Sequence, residues 1–279
     1  MRLLRWVLDI SCIAACVLLL SANSSHAQQR TPQPSECLAV AQSIPHVTFV
    51  SLTNVAAERG EVEITYAGHA TYFIETPEHV VIATDFSGAY TAGKVPTIAT
   101  MNRAHVTHFT LRPDPRIAHV LHGWGDNGTP AHHYLTVGDV TVRNVTTDIR
   151  SGFGFGSDAV MQKDGNSIFI FEVAGLCIGH LGHLHHLLDD SHYAAIGRLD
   201  IVMVPIDGGL TMSLNGMSEI TRRLRSSVVL PMHRFSTPLD DFVSRMKGEY
   251  EMDIRTARSF RISRETLPKN PTVIILEGV

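Results

Sequence analysis

The sequence lacks the features that mark nucleic-acid-binding and disordered proteins. Its formal net charge is −4 over 279 residues, and it contains no run of Lys or Arg. It therefore has no basic surface that would follow a phosphate backbone, and we expect no nucleic-acid partner. Charged residues make up only 18% of the chain and hydrophobic residues 44%, a balance that excludes extensive disorder and can fill a core.

Long apolar runs are also scarce. The run near the N-terminus, Ile10 to Leu20, is too short to span a bilayer comfortably. Arg2 and Arg5 precede it, and Ser25-His26-Ala27 follows it with small residues, an order typical of a cleaved signal peptide. Residues 1–27 are thus predicted to be a signal peptide, and the mature protein to be periplasmic or secreted and not held at the membrane. An uncleaved membrane anchor and a lipoprotein are the alternatives.

Cysteine is rare, and cleavage would leave only Cys37 and Cys177. In an oxidising compartment these two could form one disulfide. Cys177 lies in an apolar, strand-like run, however, and could equally be a buried free thiol. No repeat and no linker rich in Pro, Gly or Ser divides the chain, so residues 28–60 are predicted to be an N-terminal extension and residues 61–279 one domain.

From residue 61 onward, alternating and apolar segments predict strand after strand, and helical periodicity comes only later. Predicted strands lie at residues 61–67, 71–76, 79–84, 98–101, 117–121, 140–145, 167–173, 176–179, 199–206, 228–230, 260–262 and 273–276. Predicted helices lie at residues 189–197, 213–226 and 238–247, and residues 152–156 form a glycine-rich loop. This order favours an α/β fold, in which helices sandwich β-sheets, over a helical bundle or a pure β-sandwich.

Histidine is the residue in excess. The chain has 16 histidines, and ten of them lie between His105 and His186. Several are bunched where predicted strands end, and zinc requires three or four such imidazoles, thiolates or carboxylates in a tetrahedral arrangement. Each histidine-bearing stretch taken alone is also typical of a polar surface loop, which is how we interpret His119, His122, His132 and His133.

Five motifs in order resemble the metallo-β-lactamase superfamily, and more closely its ascorbate-phosphate-lactonase-like branch of zinc-dependent hydrolases. They are Gly68-His69-Ala70-Thr71 with Thr84-Asp85, Arg103 to His108, His180 to His186, Pro205-Ile206-Asp207-Gly208-Gly209, and Pro231-Met232-His233. The resemblance spans residues 61–276. It implies an αββα sandwich, in which helices flank two mixed β-sheets and the metal lies at the sheet edges. It also implies hydrolysis of a small-molecule ester, lactone or amide by zinc-activated water.

The departures from the family pattern concern the metal ligands. Arg103 stands where the family has a histidine, Thr107 where it has an aspartate, and His183 where it has the aspartate that bridges two metals. A neutral imidazole has one free lone pair and cannot bridge, and the charge of Arg103 would repel a second ion. These departures predict at most one Zn²⁺ ion rather than two, held by His108, His183 and His233, with His105 as a fourth ligand or as a residue that supports the ligands.

Further residues receive supporting roles in this interpretation. His69, Asp85, His180 and His186 are predicted to support or line the pocket, since a carboxylate beside a ligating imidazole fixes its tautomer. Arg103 is a candidate anion clamp, and Asp148 is a candidate base because of its position near a family motif. The alternative is a non-catalytic periplasmic protein that binds a metal or a small anion on the same fold.

Overall fold

The computed structural model describes residues 35–38, 60–91, 93–150 and 160–279. All of these lie in one compact unit, Ser35–Val279. The predicted signal peptide, most of the predicted N-terminal extension and the glycine-rich loop at 152–156 lie outside the described residues. Among the described helices, none is long and apolar enough to cross a membrane.

The described chain forms fourteen strands, three α-helices and one short 3-10 turn, Asp126–Gly128. The strands are β1 Val62–Gly68, β2 Thr71–Glu75, β3 Val81–Ala83, β4 Ile98–Met101, β5 His119–His122, β6 Tyr134–Val137, β7 Val140–Arg150, β8 Met161–Val173, β9 Leu176–His180, β10 Ile201–Pro205, β11 Val228–Met232, β12 Glu251–Ile254, β13 Ser259–Ile262 and β14 Thr272–Ile275. The helices are α1 Asp190–Ile196, α2 Leu214–Leu224 and α3 Leu239–Met246.

The strands form two mixed sheets. The first has six strands in the order β13-β1-β2-β3-β4-β5, and the second has eight in the order β12-β14-β11-β10-β9-β8-β7-β6. In the first sheet β3, β4 and β5 run parallel. In the second sheet β9, β10, β11, β14 and β12 run parallel, while β6 to β9 pair antiparallel. The predicted α/β sandwich of two mixed sheets is confirmed.

The apolar side chains form three layers, one between the sheets and one on the outer face of each sheet. Each sheet can contribute to two layers because alternate residues of a strand point to opposite faces. Tyr72 and Ile74 of β2 join the core between the two sheets, whereas Phe73 faces the outer side of the six-stranded sheet. The outer face of the eight-stranded sheet packs against all three helices, with Met217 of α2 and Phe242 of α3 fully buried. In the described chain, loop residues rather than α-helices cover the outer face of the six-stranded sheet.

A disulfide joins Cys37 to Cys177 of β9. This resolves the choice that the sequence left open between a disulfide and a buried free thiol. The short segment around Cys37 also packs by hydrogen bonds: Ser35 Oγ donates to Glu172 at 2.5 Å, and Arg198 N–H donates to the Cys37 carbonyl at 2.8 Å. The covalent link closes a loop of 140 residues across the domain.

Candidate metal centre

The carboxyl ends of parallel strands from both sheets bring the histidine motifs together. Asp85 follows β3, residues 102–108 follow β4, residues 181–186 follow β9, Asp207 follows β10 and His233 follows β11. Strand ends of this kind are where open α/β sheets bind ligands, because the loops there rest on rigid strands. His69 joins from the turn between β1 and β2.

Four imidazoles converge at this edge. Each of His69, His105, His108 and His233 offers one ligand atom, and all four atoms lie within 4.8 Å of one another. The Nε2 atoms of His69 and His108 are 3.3 Å apart, and those of His105 and His233 are 3.4 Å apart. Two nitrogens that share a tetrahedral zinc ion lie about 3.3 to 3.4 Å apart. The donor set therefore fits a metal ion of this class.

Two buried carboxylates fix the tautomers of the two most buried rings. His108 Nδ1 lies 2.7 Å from Asp85 Oδ2, and His233 Nδ1 lies 2.9 Å from Asp207 Oδ2. A carboxylate accepts the Nδ1–H proton, so that the Nε2 lone pair stays free. Both histidines therefore present Nε2 to the centre of the cluster, which makes them candidate ligands.

The two carboxylates differ in their surroundings. Burial alone would raise the pKa of Asp207, but hydrogen bonds from His233, Thr211 and the Gly209 N–H lower it to about 2. Burial raises the pKa of Asp85, against the opposing effect of the nearby His180 and of the hydrogen bond from Asn102 Nδ2. A bound cation would favour the ionised form of Asp85.

Three histidines of the cluster, His69, His105 and His108, are neutral near pH 7. Burial, followed by the nearby His233 and His105, lowers the pKa of His69 to about 3. Burial is likewise the largest cause that lowers the pKa of His105 and, much further, that of His108. A neutral imidazole is the form that binds a metal, so the electrostatics favour a cation over protons.

Thr107 takes the place of the carboxylate that the family has in this loop. Its Oγ1 lies 2.7 Å from His105 Nδ1 and 2.8 Å from His69 Nε2. A hydroxyl has a single proton to donate. If His105 Nδ1–H donates to Oγ1, the hydroxyl proton goes to His69, and Nε2 of His105 is left free to ligate. This arrangement gives His105 the same support that the two carboxylates give His108 and His233.

His183 lies beside the cluster but outside the group of four. Its ring centroid is 4.8 Å from those of His108 and His233 and 5.1 Å from that of His105. It is only 4% exposed, and its Nε2 is buried without a hydrogen-bond partner among the described residues. On its other side, Nδ1 lies 2.7 Å from His185 Nε2. The predicted ligand set and the group of four thus differ by one member, with His69 in place of His183.

His180 and His186 use both ring nitrogens in local hydrogen bonds. His180 Nδ1 accepts from Gly182 N–H, and its Nε2–H donates to the Ala70 carbonyl. His186 Nε2 accepts from Asp148 N–H, and its Nδ1–H donates to the Leu187 carbonyl. Their position is therefore that of residues which hold loops at the edge of the pocket.

The two predicted anion-binding or catalytic candidates lie apart from the cluster contacts. Arg103 is exposed and makes no hydrogen bond or ion pair within the described part of the chain. Asp148 is half-buried, and its Oδ1 accepts from the Asp164 N–H. Among the described residues, no hydrogen bond, ion pair or ring contact links either side chain to the four converging imidazoles. The roles of Arg103 and Asp148 in anion binding or catalysis stay predictions.

Left-handed backbone recurs at the pocket. His69, Asp85 and His233 have φ of 54°, 41° and 50°, a region that costs non-glycine residues energy. The Tyr66 hydroxyl and the His233 N–H both donate to the His69 carbonyl, at 3.1 and 2.8 Å. These bonds hold the strained turn that aims His69 into the cluster.

Three residues of the site carried no assigned role in the sequence interpretation. Asp207 lies within the Pro205–Gly209 motif, directly after a buried strand, and this position is the sequence feature that could have identified it. Thr107 entered only as a departure from the family pattern. His185 lies in the histidine-rich loop, but nothing in its spacing distinguishes it from its neighbours. Hydrogen-bond geometry is what separates a ligand from a residue that orients one.

Comparison with known proteins identifies the family. A family model described as a beta-lactamase superfamily domain matches residues 63–233, which is more than half of the chain. The chain belongs to the metallo-β-lactamase superfamily. The superfamily predicted from the sequence is thereby confirmed.

Three known proteins resemble the chain over 63% to 79% of its length. A UPF0173 metal-dependent hydrolase of Methanosphaerula palustris is 25% identical over 189 residues, covering 63% of this chain and 85% of the relative. A protein of Thermotoga maritima assigned as a Zn-dependent hydrolase of this superfamily has a TM-score of 0.56 and 24% identity, covering 77% of this chain and 98% of that chain. A protein of Parabacteroides distasonis assigned as a metal-dependent hydrolase has a TM-score of 0.54 and 13% identity, covering 79% and 95%. The two structures show the shared fold, and the chain stands among the metal-dependent hydrolases of the superfamily.

Proposed function

We propose that the protein is a zinc-dependent hydrolase that holds one metal ion and acts on a small-molecule ester, lactone or amide. The observation that carries the proposal is the convergence of His105, His108 and His233. In each ring Nδ1 is held by an oxygen, of Thr107, Asp85 and Asp207 respectively, and Nε2 is directed into the cluster. Three imidazoles with an open position are the ligand set of many catalytic zinc sites.

A zinc ion bound there would supply Lewis acidity, which activates water and polarises a carbonyl. The chain's own residues prepare the site for it. Asp85 and Asp207 hold the protons of His108 and His233 on Nδ1, so that Nε2 needs no deprotonation before it binds. His69 is the candidate fourth member, although binding through its Nε2 would compete with the hydrogen bond from Thr107.

A single metal is favoured because no carboxylate among the described residues is free to bridge two ions at the cluster. Both carboxylates nearest to it, Asp85 and Asp207, are already engaged with the Nδ1 atoms of ligands. The positions that carry aspartates in the family pattern hold Thr107 and His183, and neither a hydroxyl nor an imidazole bridges two divalent ions as a carboxylate does. This argument does not need the charge of Arg103, which lies exposed.

We further propose that the protein works outside the cytoplasm, in the periplasm or after secretion. The disulfide between Cys37 and Cys177 supports this, because disulfides persist in oxidising compartments and are rare in the cytosol. The signal-like order of residues 1–27 supports the same location. The net charge of −4 supports a small-molecule substrate over nucleic acid.

Turnover of a panel of small esters, lactones and amides tests the proposal. The purified protein is assayed after removal of metal and after addition of Zn²⁺, alongside His233→Ala and the matched variant His186→Ala. We expect zinc-dependent turnover that His233→Ala abolishes and that His186→Ala retains, because within the described part of the chain His186 forms hydrogen bonds to Asp148 and Leu187 only. Tight zinc binding with no turnover across the panel would instead favour the non-catalytic metal-binding alternative.

A further inference from the structure

His183 is buried against the proposed metal site, yet its hydrogen bonds distinguish it from the ligands. The backbone N–H of Arg150 donates to His185 Nδ1 at 2.6 Å. His185 therefore carries its proton on Nε2, since a neutral imidazole has one N–H and one acceptor nitrogen. The Leu210 carbonyl, 3.0 Å from the same Nε2, also requires a proton there.

The tautomer of His185 fixes that of His183. His185 Nε2–H lies 2.7 Å from His183 Nδ1, so Nδ1 must accept, and the proton of the neutral His183 ring must be on Nε2. A nitrogen that carries a proton has no lone pair for a metal. His108 and His233 show the opposite arrangement, because carboxylates hold their protons on Nδ1.

The loop around His183 holds the ring in place. His183 N–H donates to Asn166 Oδ1 at 2.7 Å. Gly182 has a φ of 61°, and a Cβ there would lie 2.4 Å from atoms of Asn102 and Asn166, so only glycine allows this close packing. The result is a rigid N–H donor, 4% exposed and without an acceptor among the described residues, beside the rings of the proposed ligands.

We propose that His183 is not a metal ligand but a hydrogen-bond donor to an anionic oxygen bound at the metal, such as a carboxylate of the product or the oxygen on which charge develops during hydrolysis. A buried N–H without a partner is costly, and an anionic acceptor relieves that cost. The imidazole thus places a neutral donor where the family pattern has a bridging carboxylate. This inference rests on the proposed function, since it assumes that the neighbouring cluster binds zinc.

Two variants of His183 separate a donor from a ligand. His183→Gln keeps an amide N–H near the position of Nε2, and His183→Phe keeps the ring shape without a donor. Zinc content and affinity are measured for both, with His233→Ala as the variant that lacks a ligand. Acetate, a simple carboxylate, is then titrated into each zinc-loaded protein. The ¹⁵N shifts of the His183 ring are recorded in the metal-free wild-type protein, which needs no variant to fold.

We expect both His183 variants to bind one zinc ion with affinity within about threefold of wild type, whereas His233→Ala loses it. We expect acetate to bind His183→Phe about tenfold or more weakly than wild type and His183→Gln within about threefold, as for loss of a hydrogen bond to a charged group. The ¹⁵N shifts should report a protonated Nε2.

Loss of zinc from both His183 variants, unchanged acetate binding in His183→Phe, or a protonated Nδ1 would overturn the inference. A wild-type protein that binds no zinc but has a protonated Nε2 would contradict the proposed function and leave the donor assignment standing.

Discussion

Asp207 and Asp85 orient the ligands of the proposed site, and each is connected to the rest of its loop. Asp207 accepts from the Gly209 and Thr211 N–H groups as well as from His233. Asp85 accepts from Asn102 as well as from His108. Because both carboxylates are held by several donors, the imidazoles that they orient have little freedom to rotate.

Replacing Asp207 with Asn should weaken zinc binding. The amide cannot accept the Nδ1–H proton of His233 as the carboxylate does at Oδ2, so we expect an affinity loss of about 10- to 100-fold, as for other residues that orient metal ligands. Competition with a chromogenic chelator measures the affinity. Asp148→Asn is the matched control, because the Asp148 carboxylate bonds the Asp164 N–H away from the cluster. Equal effects of the two substitutions would contradict the role assigned to Asp207.

The buried histidines make the metal-free protein sensitive to acid. Burial is the largest cause that lowers the pKa of His69 to about 3 and that of His185 to about 4, and it also holds the pKa of His108 and His183 well below 6.5. Below about pH 6.5 the unfolded chain takes up protons that the folded chain does not, so stability falls as pH falls. Asp207 does not cause this loss of stability near pH 6.5. Its pKa is about 2 in the folded protein, so the stability that it contributes is lost only below the ordinary pKa of a carboxyl.

Thermal unfolding of the chelated protein at pH 7 and pH 5 measures this effect. We expect a lower Tm at pH 5, with each fully buried histidine contributing at most about 1.4 kcal/mol per pH unit. His108→Asn should reduce the dependence, because an amide N–H can replace Nδ1–H toward Asp85 and does not titrate. A Tm that is unchanged or higher at pH 5 would show that these histidines are not held neutral.

At the scale of elements, the central strands are the ones that sequence patterns predict most readily. Every residue of β10 and of β11 is buried, so each strand appears in the sequence as a continuous apolar run. The sequence patterns did not predict β6 and β12, which are the two edge strands of the eight-stranded sheet. Their residues are half-buried or exposed, so no apolar run marks them. An edge strand buries less surface than a central one, and its sequence carries a weaker signal.

The segment around Cys37 is tied by the disulfide to β9, within the apolar layer that the helices cover. We expect Cys37→Ser to lower the free energy of unfolding by about 2 to 4 kcal/mol, because the link closes a long loop in the unfolded chain. Denaturant unfolding with and without reductant measures this. Reductant should destabilise the wild-type protein and leave Cys37→Ser unchanged. Equal stability of the oxidised wild type and the variant would contradict a stabilising disulfide.

For the whole molecule, sequence patterns predicted the family, the sandwich and the edge at which the histidines meet. They could not predict which histidines point inward. His69 reaches the cluster through a left-handed turn. In the sequence alone, nothing distinguishes His69 from His183, since each is a histidine within a motif. The difference between them arises from hydrogen bonds to residues distant in the chain, such as the Leu210 carbonyl that holds His185. Contacts of this kind depend on the folded structure and leave no local pattern.

The family pattern that the chain resembles holds two metal ions. We propose that this chain holds one. Anomalous diffraction from crystals of the zinc-loaded mature protein tests this most directly, because it counts and places the metal ions. We predict one zinc peak per chain, bound by Nε2 of His105, His108 and His233, with His183 outside the coordination sphere. Two fully occupied zinc peaks per chain, or one peak coordinated by His183, would contradict this proposal.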